Sequence, residues 1–437
     1  MAMQLNQLSA VEITRMTRAG EITAEQVLCD CLARIAEREP VVLAWSVFDG
    51  EHALRQAREL DRDCNVVKGP LHGVPIGVKD VIDTADMCTE MGSPIYRGHQ
   101  PLADAACVAL VRAAGAVILG KTVTAEFAGV FPGVTTNPHN VLRTPGGSSS
   151  GSAAGVADYM MPVAFGTQTG GSVLRPASFC GIVGFKPTFG RYNPAGMKPA
   201  AVSVDTIGLL ARNIDDIELF DCVLVGRPVP TGLGSAPQSI DTTLRIGVCR
   251  SHLWPLAQPE TVAAIADAAN RLAADGASVI DVDLPAVFTD LTAARALING
   301  YERARAMAHE WHTHRDLLSV PMQRAIEMGF GLTHEQYTGA LALAVRCRTL
   351  LDAVFDRVDV LMTPCVPGEA PPGLTSAGDP RFQELWTLLH TPSMSLPVYR
   401  GPNGLPVGIQ LVGRRGEDLR LLQSARWIWQ RLAPAGG

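Results

Sequence analysis

LRIGVCRSHLWPLAQPETVAAIADAANRLAADGASVIDVDL, residues 244–284, carries the change of period on which the fold assignment rests. LRIGVC is a short aliphatic run, residues 259–274 place alanine and isoleucine at helical spacing behind a proline, and SVIDVDL is rich in β-branched residues. The reading is strand, helix, strand. The alternation continues with 288–312 as one long helix, VDVLMTPC (358–365) and LPVGIQLVG (405–413) as strands, and GEDLRLLQSARWIWQRL (416–432) as a closing helix. Strands alternating with helices place the chain in the α/β class, with a sheet covered by helices on both faces.

The first half is less regular. Ser9-x-x-Glu12 and Thr23-x-x-Gln26 fit the capping-box pattern and predict two helices within residues 5–40, separated by Gly20. VPIGVKDVID (74–83) is an apolar run with one lysine, 103–114 has helical periodicity, and AVILG (116–120) reads as a strand. From 131 to 210 glycine, serine, threonine and proline dominate, with apolar pieces such as MPVAF (161–165). No internal repeat is present.

Composition narrows the function classes. With 47% hydrophobic residues in 437, the chain has material for a large core. A net charge of −6 without a basic run argues against a nucleic-acid or membrane-surface partner. The 10 cysteines are irregularly spaced and include no CxxC pair, so free thiols in a reducing cytoplasm are expected. No 18-residue uncharged stretch or signal-like apolar N-terminus occurs, so no membrane span is expected.

Three short motifs point elsewhere but lack their context. GAVILGKT (115–122) satisfies a phosphate-loop pattern, yet its four middle residues belong in a buried strand rather than a phosphate cradle. GSSSG (147–151) fits the nucleophile elbow, yet turn-forming NVLRTPGG precedes it instead of a strand. His309, His312 and His314 crowd a helix end, but HEWHT misses zinc-ligand spacing by one residue. A solvated helix end and no metal are expected.

The remaining chemistry centres on Lys79 and two glycine–serine knots. Lys79 sits in IGVKDVI, where a charged ammonium is costly. It either pairs with Asp80 or Asp83, snorkels from a strand end, or loses its proton and becomes a general base. In GTQTGGS (166–172), glycines before Ser172 let successive N–H groups converge in one hollow, as an oxyanion hole requires. The glycines of PGGSSSG (145–151) permit unusual dihedrals beside Ser148. A plain tight turn is the alternative at either knot.

These segments together resemble the amidase signature enzymes over roughly residues 5–430: GPLHGVPIGVKD (69–80), GKTVTAEFA (120–128), NPHN (137–140), TPGGSSSGSAAGVA (144–157), GTQTGGSVLRPASFCGIVGFKPTFGR (166–191), DVLMTPCVPGEAP (359–371) and GLPVGIQLVG (404–413). The resemblance implies one α/β domain spanning 1–437 around a twisted mixed sheet, with a signature core at about 68–215 and a C-terminal part at about 240–435. It implies a Ser–Ser–Lys triad, with Ser172 as nucleophile, Ser148 as a bridging serine after a cis peptide bond, and Lys79 as base. Ser149 and Ser150 would support the loop. The N–H groups of Thr169, Gly170, Gly171 and Ser172 would hold the oxyanion, and no cofactor would be needed.

Two positions depart from the commoner family pattern, which has aspartate four residues before the nucleophile and arginine two after. Gln168 and Leu174 stand there, with an arginine one place later at Arg175. In this the chain looks malonamidase-like, and Arg175 is expected either to grip a substrate carboxylate or to hold the scaffold. The activity expected is hydrolysis of a small amide by a homodimer, without nucleic acid or membrane. The alternatives are the glutaminase chain of a tRNA-dependent amidotransferase, a urea- or carbamate-cleaving member, and a non-catalytic relic. Substrate walls are expected within 127–135, 299–335 and 370–395.

Overall fold

A computed structural model describes residues 4–62, 67–234 and 243–433. The remaining parts of the expected 1–437 span lie outside the described residues. Among the described residues, eleven strands form one sheet. They are β1 (Trp45–Phe48), β2 (Pro75–Lys79), β3 (Val117–Thr122), β4 (Val163–Gln168), β5 (Val183–Lys186), β6 (Thr206–Ala211), β7 (Arg245–Cys249), β8 (Ser278–Val282), β9 (Val360–Pro364), β10 (Ser393–Arg400) and β11 (Pro406–Gly413). Their spatial order is β1-β3-β2-β4-β6-β5-β10-β11-β9-β7-β8. β2 runs parallel to β3 and β4, and β7 parallel to β8 and β9, while the connecting pairs are antiparallel. The mixed sheet follows from those two parallel blocks being joined through antiparallel strands.

Successive strand residues feed opposite cores. On β3, Ile118 joins a core shared with Ile76, Val78, Val163 and Phe165, whereas Val117 and Leu119 join a second core with Ala153, Ala154, Leu174 and Ala177. Every residue of β2, β3, β4, β6, β9 and β11 is buried, so these strands are covered on both faces. Residues 117–122 are therefore strand, with Lys121 buried 3.5 Å from Asp80, and no phosphate-binding loop forms there.

The helices that carry chemistry lie on the second core's face. Ser150–Ala157 and Leu174–Cys180 are short, the first built almost wholly from small residues, and both bury almost every side chain. Small residues let these helices approach the chain beneath closely. A side chain added at Gly151 would collide with the Ala44 carbonyl oxygen and lie 2.5 Å from the Val123 amide.

The capping boxes at Ser9–Glu12 and Thr23–Gln26 both form. The helix at 259–274 spans the residues the periodicity assigns it, Pro259–Ala274. The long helix expected over 288–312 does not form as one piece. It divides into Leu291–Ala306 and Ala308–Thr313, with Met307 between them at φ −100° and ψ 17°. The break turns Glu310 inward, where its carboxylate accepts from Lys198 at 2.6 Å and from the Tyr96 hydroxyl at 2.5 Å. His309 and His312 are left exposed, and among the described residues no metal-binding cluster occurs. Among them, too, no helix is long and apolar enough to cross a membrane.

Gly151→Ala should cost about 1–3 kcal/mol through overpacking against backbone that has nowhere to move. The chemical-denaturation midpoint is expected to fall while the secondary-structure spectrum of the folded protein is unchanged. An unshifted midpoint would show that the helix is free to lift off the sheet.

Candidate active site

Lys79 is the last residue of β2, next to β4 in the parallel block, and its side chain is fully buried. The Nζ donates to Ser148 Oγ at 2.7 Å, to Thr167 Oγ1 at 2.7 Å and to the Thr167 carbonyl at 3.3 Å. Neither Asp80 nor Asp83 is its partner, because Asp80 faces Lys121 instead. Burial pushes the Lys79 pKa well below the ordinary lysine value, Asp205 opposes the shift, and Arg175 reinforces it. An amine held by hydroxyls in a dry site, without a carboxylate contact, is poised to be neutral.

The peptide bond between Gly147 and Ser148 is cis. The loop is tied to its surroundings by Ser148 O, which accepts from the Ala125 amide at 3.1 Å, and by the Ser149 amide, which donates to Ser172 O at 3.2 Å. That last bond joins the two serine knots directly. Ser149 Oγ accepts from the Thr167 amide at 3.3 Å and Ser150 Oγ donates to the Val123 carbonyl at 3.3 Å, so both hydroxyls brace the loop. Residues 144–147 are irregular and lead straight into the helix at Ser150, so the strand an elbow requires is absent here.

Ser172 opens onto a cavity of about 260 Å³ lined also by Ala128–Val130, Thr169–Gly171, Arg175, Arg295, Asn299, Arg303, Ser376–Gly378, Pro380 and Glu384. Three of those wall segments fall in the ranges expected from sequence. Among the described residues, the N–H groups of Gly170, Gly171 and Ser172 donate to no protein acceptor. Thr169 Oγ1 donates to Asp205 at 2.6 Å. Side chains from across the cavity pack close against the knot. A side chain on Gly171 would strike the Gln383 carboxamide, and one on Gly170 would lie 2.7 Å from Arg295 Nη2.

Gln168 explains how the knot keeps its shape. Its Oε1 accepts from the amides of Val173 and Leu174 at 2.9 and 3.1 Å, capping the helix Leu174–Cys180. Its Nε2 donates to Thr387 Oγ1 at 3.0 Å, and that hydroxyl donates to the Gly170 carbonyl at 2.7 Å. An aspartate could cap the helix but could not donate to Thr387. No local sequence motif assigns Gln168 this role.

Arg175 lines the cavity, but its guanidinium already serves the scaffold. Nε and Nη2 donate to the Gly147 carbonyl at 3.1 and 2.7 Å, and Nη1 donates to the Gly378 carbonyl. Two further arginines share the cavity that no sequence motif singles out. Arg295 pairs with Glu384 at 3.1 Å, and Arg303 is buried behind Gly129. Thr167 and Asp205 also escape the motifs. Their importance arises from strand adjacency, which no local pattern announces.

The chain's relatives accord with this geometry. A protein of Symbiobacterium thermophilum described as a glutamyl-tRNA(Gln) amidotransferase subunit is 35% identical over 97% of this chain and 96% of its own length. Among solved structures, one described as an amidase superposes with a TM-score of 0.89 at 30% identity, covering 98% of this chain and all of the other. The 6-aminohexanoate cyclic dimer hydrolase superposes with a TM-score of 0.87 at 27% identity over the whole of this chain and 99% of its own. The sequence expectation of a homodimer acting on a small amide with no nucleic acid is corrected by these relatives. By name, several are single subunits of an enzyme acting on a glutamyl-tRNA. The pattern described as Amidase matches residues 26–422, and this α/β chain belongs to that family of carbon–nitrogen hydrolases.

Proposed function

We propose that this chain is the amide-cleaving subunit of a tRNA-dependent amidotransferase, releasing ammonia from glutamine through an acyl-enzyme on Ser172. The observation that carries the reading is the buried Lys79–Ser148 hydrogen bond beside three undirected N–H groups, in a chain aligned end to end with such subunits. Glutamine is itself an amide with a free carboxylate, and the arginines in the cavity wall suit that charge. Nine described cysteines are unpaired, which fits a reducing cytoplasm.

In this mechanism neutral Lys79 draws the proton of Ser148, which draws that of Ser172. Ser172 Oγ attacks the amide carbonyl, and the oxyanion forms against the N–H groups of Thr169, Gly170, Gly171 and Ser172. The relay returns the proton to the departing ammonia. Water then enters by the same relay and releases the acid.

Ser172→Ala should abolish ammonia release while the fold persists; retention of a tenth of wild-type turnover would remove Ser172 from the mechanism. Adding the remaining subunits of a glutamyl-tRNA(Gln) amidotransferase and its charged tRNA should raise glutamine turnover by the wild-type chain. Full activity of the isolated chain, with no gain on reconstitution, would leave the amidase chemistry standing and overturn the subunit role.

Lys79→Met should lose several orders of magnitude in kcat yet melt no lower than wild type. The sign follows from the depressed pKa. Between the folded value and the ordinary lysine value near 10.5, the unfolded chain binds the extra proton, so folding stability rises with pH across that window. Removing the amine removes that cost. Wild-type activity should fall on the acid side as Lys79 becomes protonated, and a rate flat down to pH 5 in a stable enzyme would count against the neutral base.

A further inference from the structure

Arg295, Asn299 and Arg303 are spaced at i, i+4 and i+8 on the helix Leu291–Ala306, and all three reach the cavity that holds Ser172. Arg295 is held by Glu384. Arg175 is held by the Gly147 and Gly378 carbonyls. Arg303 is different. It is 5% exposed, and among the described residues no hydrogen bond or ion pair reaches its guanidinium, whose Nη1 is fully buried and unpartnered. That Nη1 lies against the cavity wall, 3.1 Å from where a side chain on Gly129 would begin. Asn299 Oδ1, one turn away, is also buried without a partner.

The opposing charge that acts on it, Asp205, does not account for it. Asp205 stabilises the charged form of Arg303, but its own oxygens are taken by Thr169 Oγ1 at 2.6 Å and by the amides of Ala200 and Ala201 at 2.7 and 2.8 Å. A buried guanidinium without a partner is destabilising, and such a group persists where a ligand supplies the missing anion. The cavity walls hold three guanidiniums against one carboxylate, Glu384, which favours an anion there.

We infer that Arg303 is the specificity-determining residue that binds the anionic end of the substrate, so that the cavity takes an amide whose far end is a carboxylate. The inference rests on the reading of Ser172 as the attacking group, because that fixes which end of the ligand is the amide. It moves the carboxylate contact from Arg175, whose donors are engaged, to a guanidinium whose donors are free.

The test is calorimetric binding to the full-length chain carrying Ser172→Ala, with succinamate and its neutral counterpart succinamide as probes. Succinamate should bind at least about tenfold more tightly. Arg303→Met in the same background should lower succinamate affinity roughly 10–100-fold, the scale of a charge-assisted hydrogen bond, and bring the two probes level. Arg303→Lys should give an intermediate preference. The melting temperature of the Arg303→Met protein should not fall, since no protein contact is lost. A scaffold role would instead lower it. Equal binding of the two probes to the parent, a preference that survives Arg303→Met, a preference abolished by Arg175→Met but not by Arg303→Met, or unfolding of both Arg303 variants would each overturn the assignment. The amidase reading is judged separately, by whether the wild-type chain releases ammonia from either probe and Ser172→Ala stops it.

Discussion

The enclosure of the Lys79 amine is the constraint around which the site is arranged. Taking an ammonium out of water costs several kcal/mol unless a counter-charge accompanies it, and no carboxylate touches this one. Without its proton the amine keeps two N–H donors for Thr167 and can accept from the Ser148 hydroxyl. That choice dictates the neighbourhood. β2 must lie beside β4 so that Thr167 is within reach, and the glycine loop before Ser148 must fold back over the strand ends. Asp80, adjacent in sequence, must be turned away, and it is, toward Lys121 on β3.

Much of the second half of the fold was legible because its helices and strands keep distinct periods. Of the buried strands of the first half, only β3 was read as one, from AVILG. β5 has only four residues, Gly184 among them, and in the second half β10 contains Pro397 with a register shift between Leu396 and Tyr399. Strands covered on both faces also lose the alternation that would mark them. The division of the 288–312 segment could not be read either, since it depends on Glu310 meeting Lys198 and Tyr96 from distant parts of the chain.

The site shows the same divide. Lys79, Ser148 and Ser172 stand in glycine-rich motifs whose composition is itself unusual. Arg295, Asn299 and Arg303 stand in an ordinary amphipathic helix, where a polar stripe at helical spacing reads as a solvent face. Only the cavity on the other side of Gly129 and Gly170 distinguishes that stripe from a wet surface. Thr167 and Asp205 have no sequence signature, because what matters is which strand lies next to which.

Gln168 has an electrical consequence besides its structural one. The turn that carries Ser172 is fastened by a neutral carboxamide, which makes two acceptor bonds and one donor bond without adding charge. A carboxylate at that position, one residue along β4 from Thr167, would place a negative potential near the lysine amine and strengthen its hold on a proton. With the carboxamide there, the main anion acting on Lys79 is Asp205, whose charge is already dispersed over three donors. In the proposed mechanism, an unprotonated Lys79 is therefore expected to persist further into mildly acidic solution beside this carboxamide than beside an aspartate.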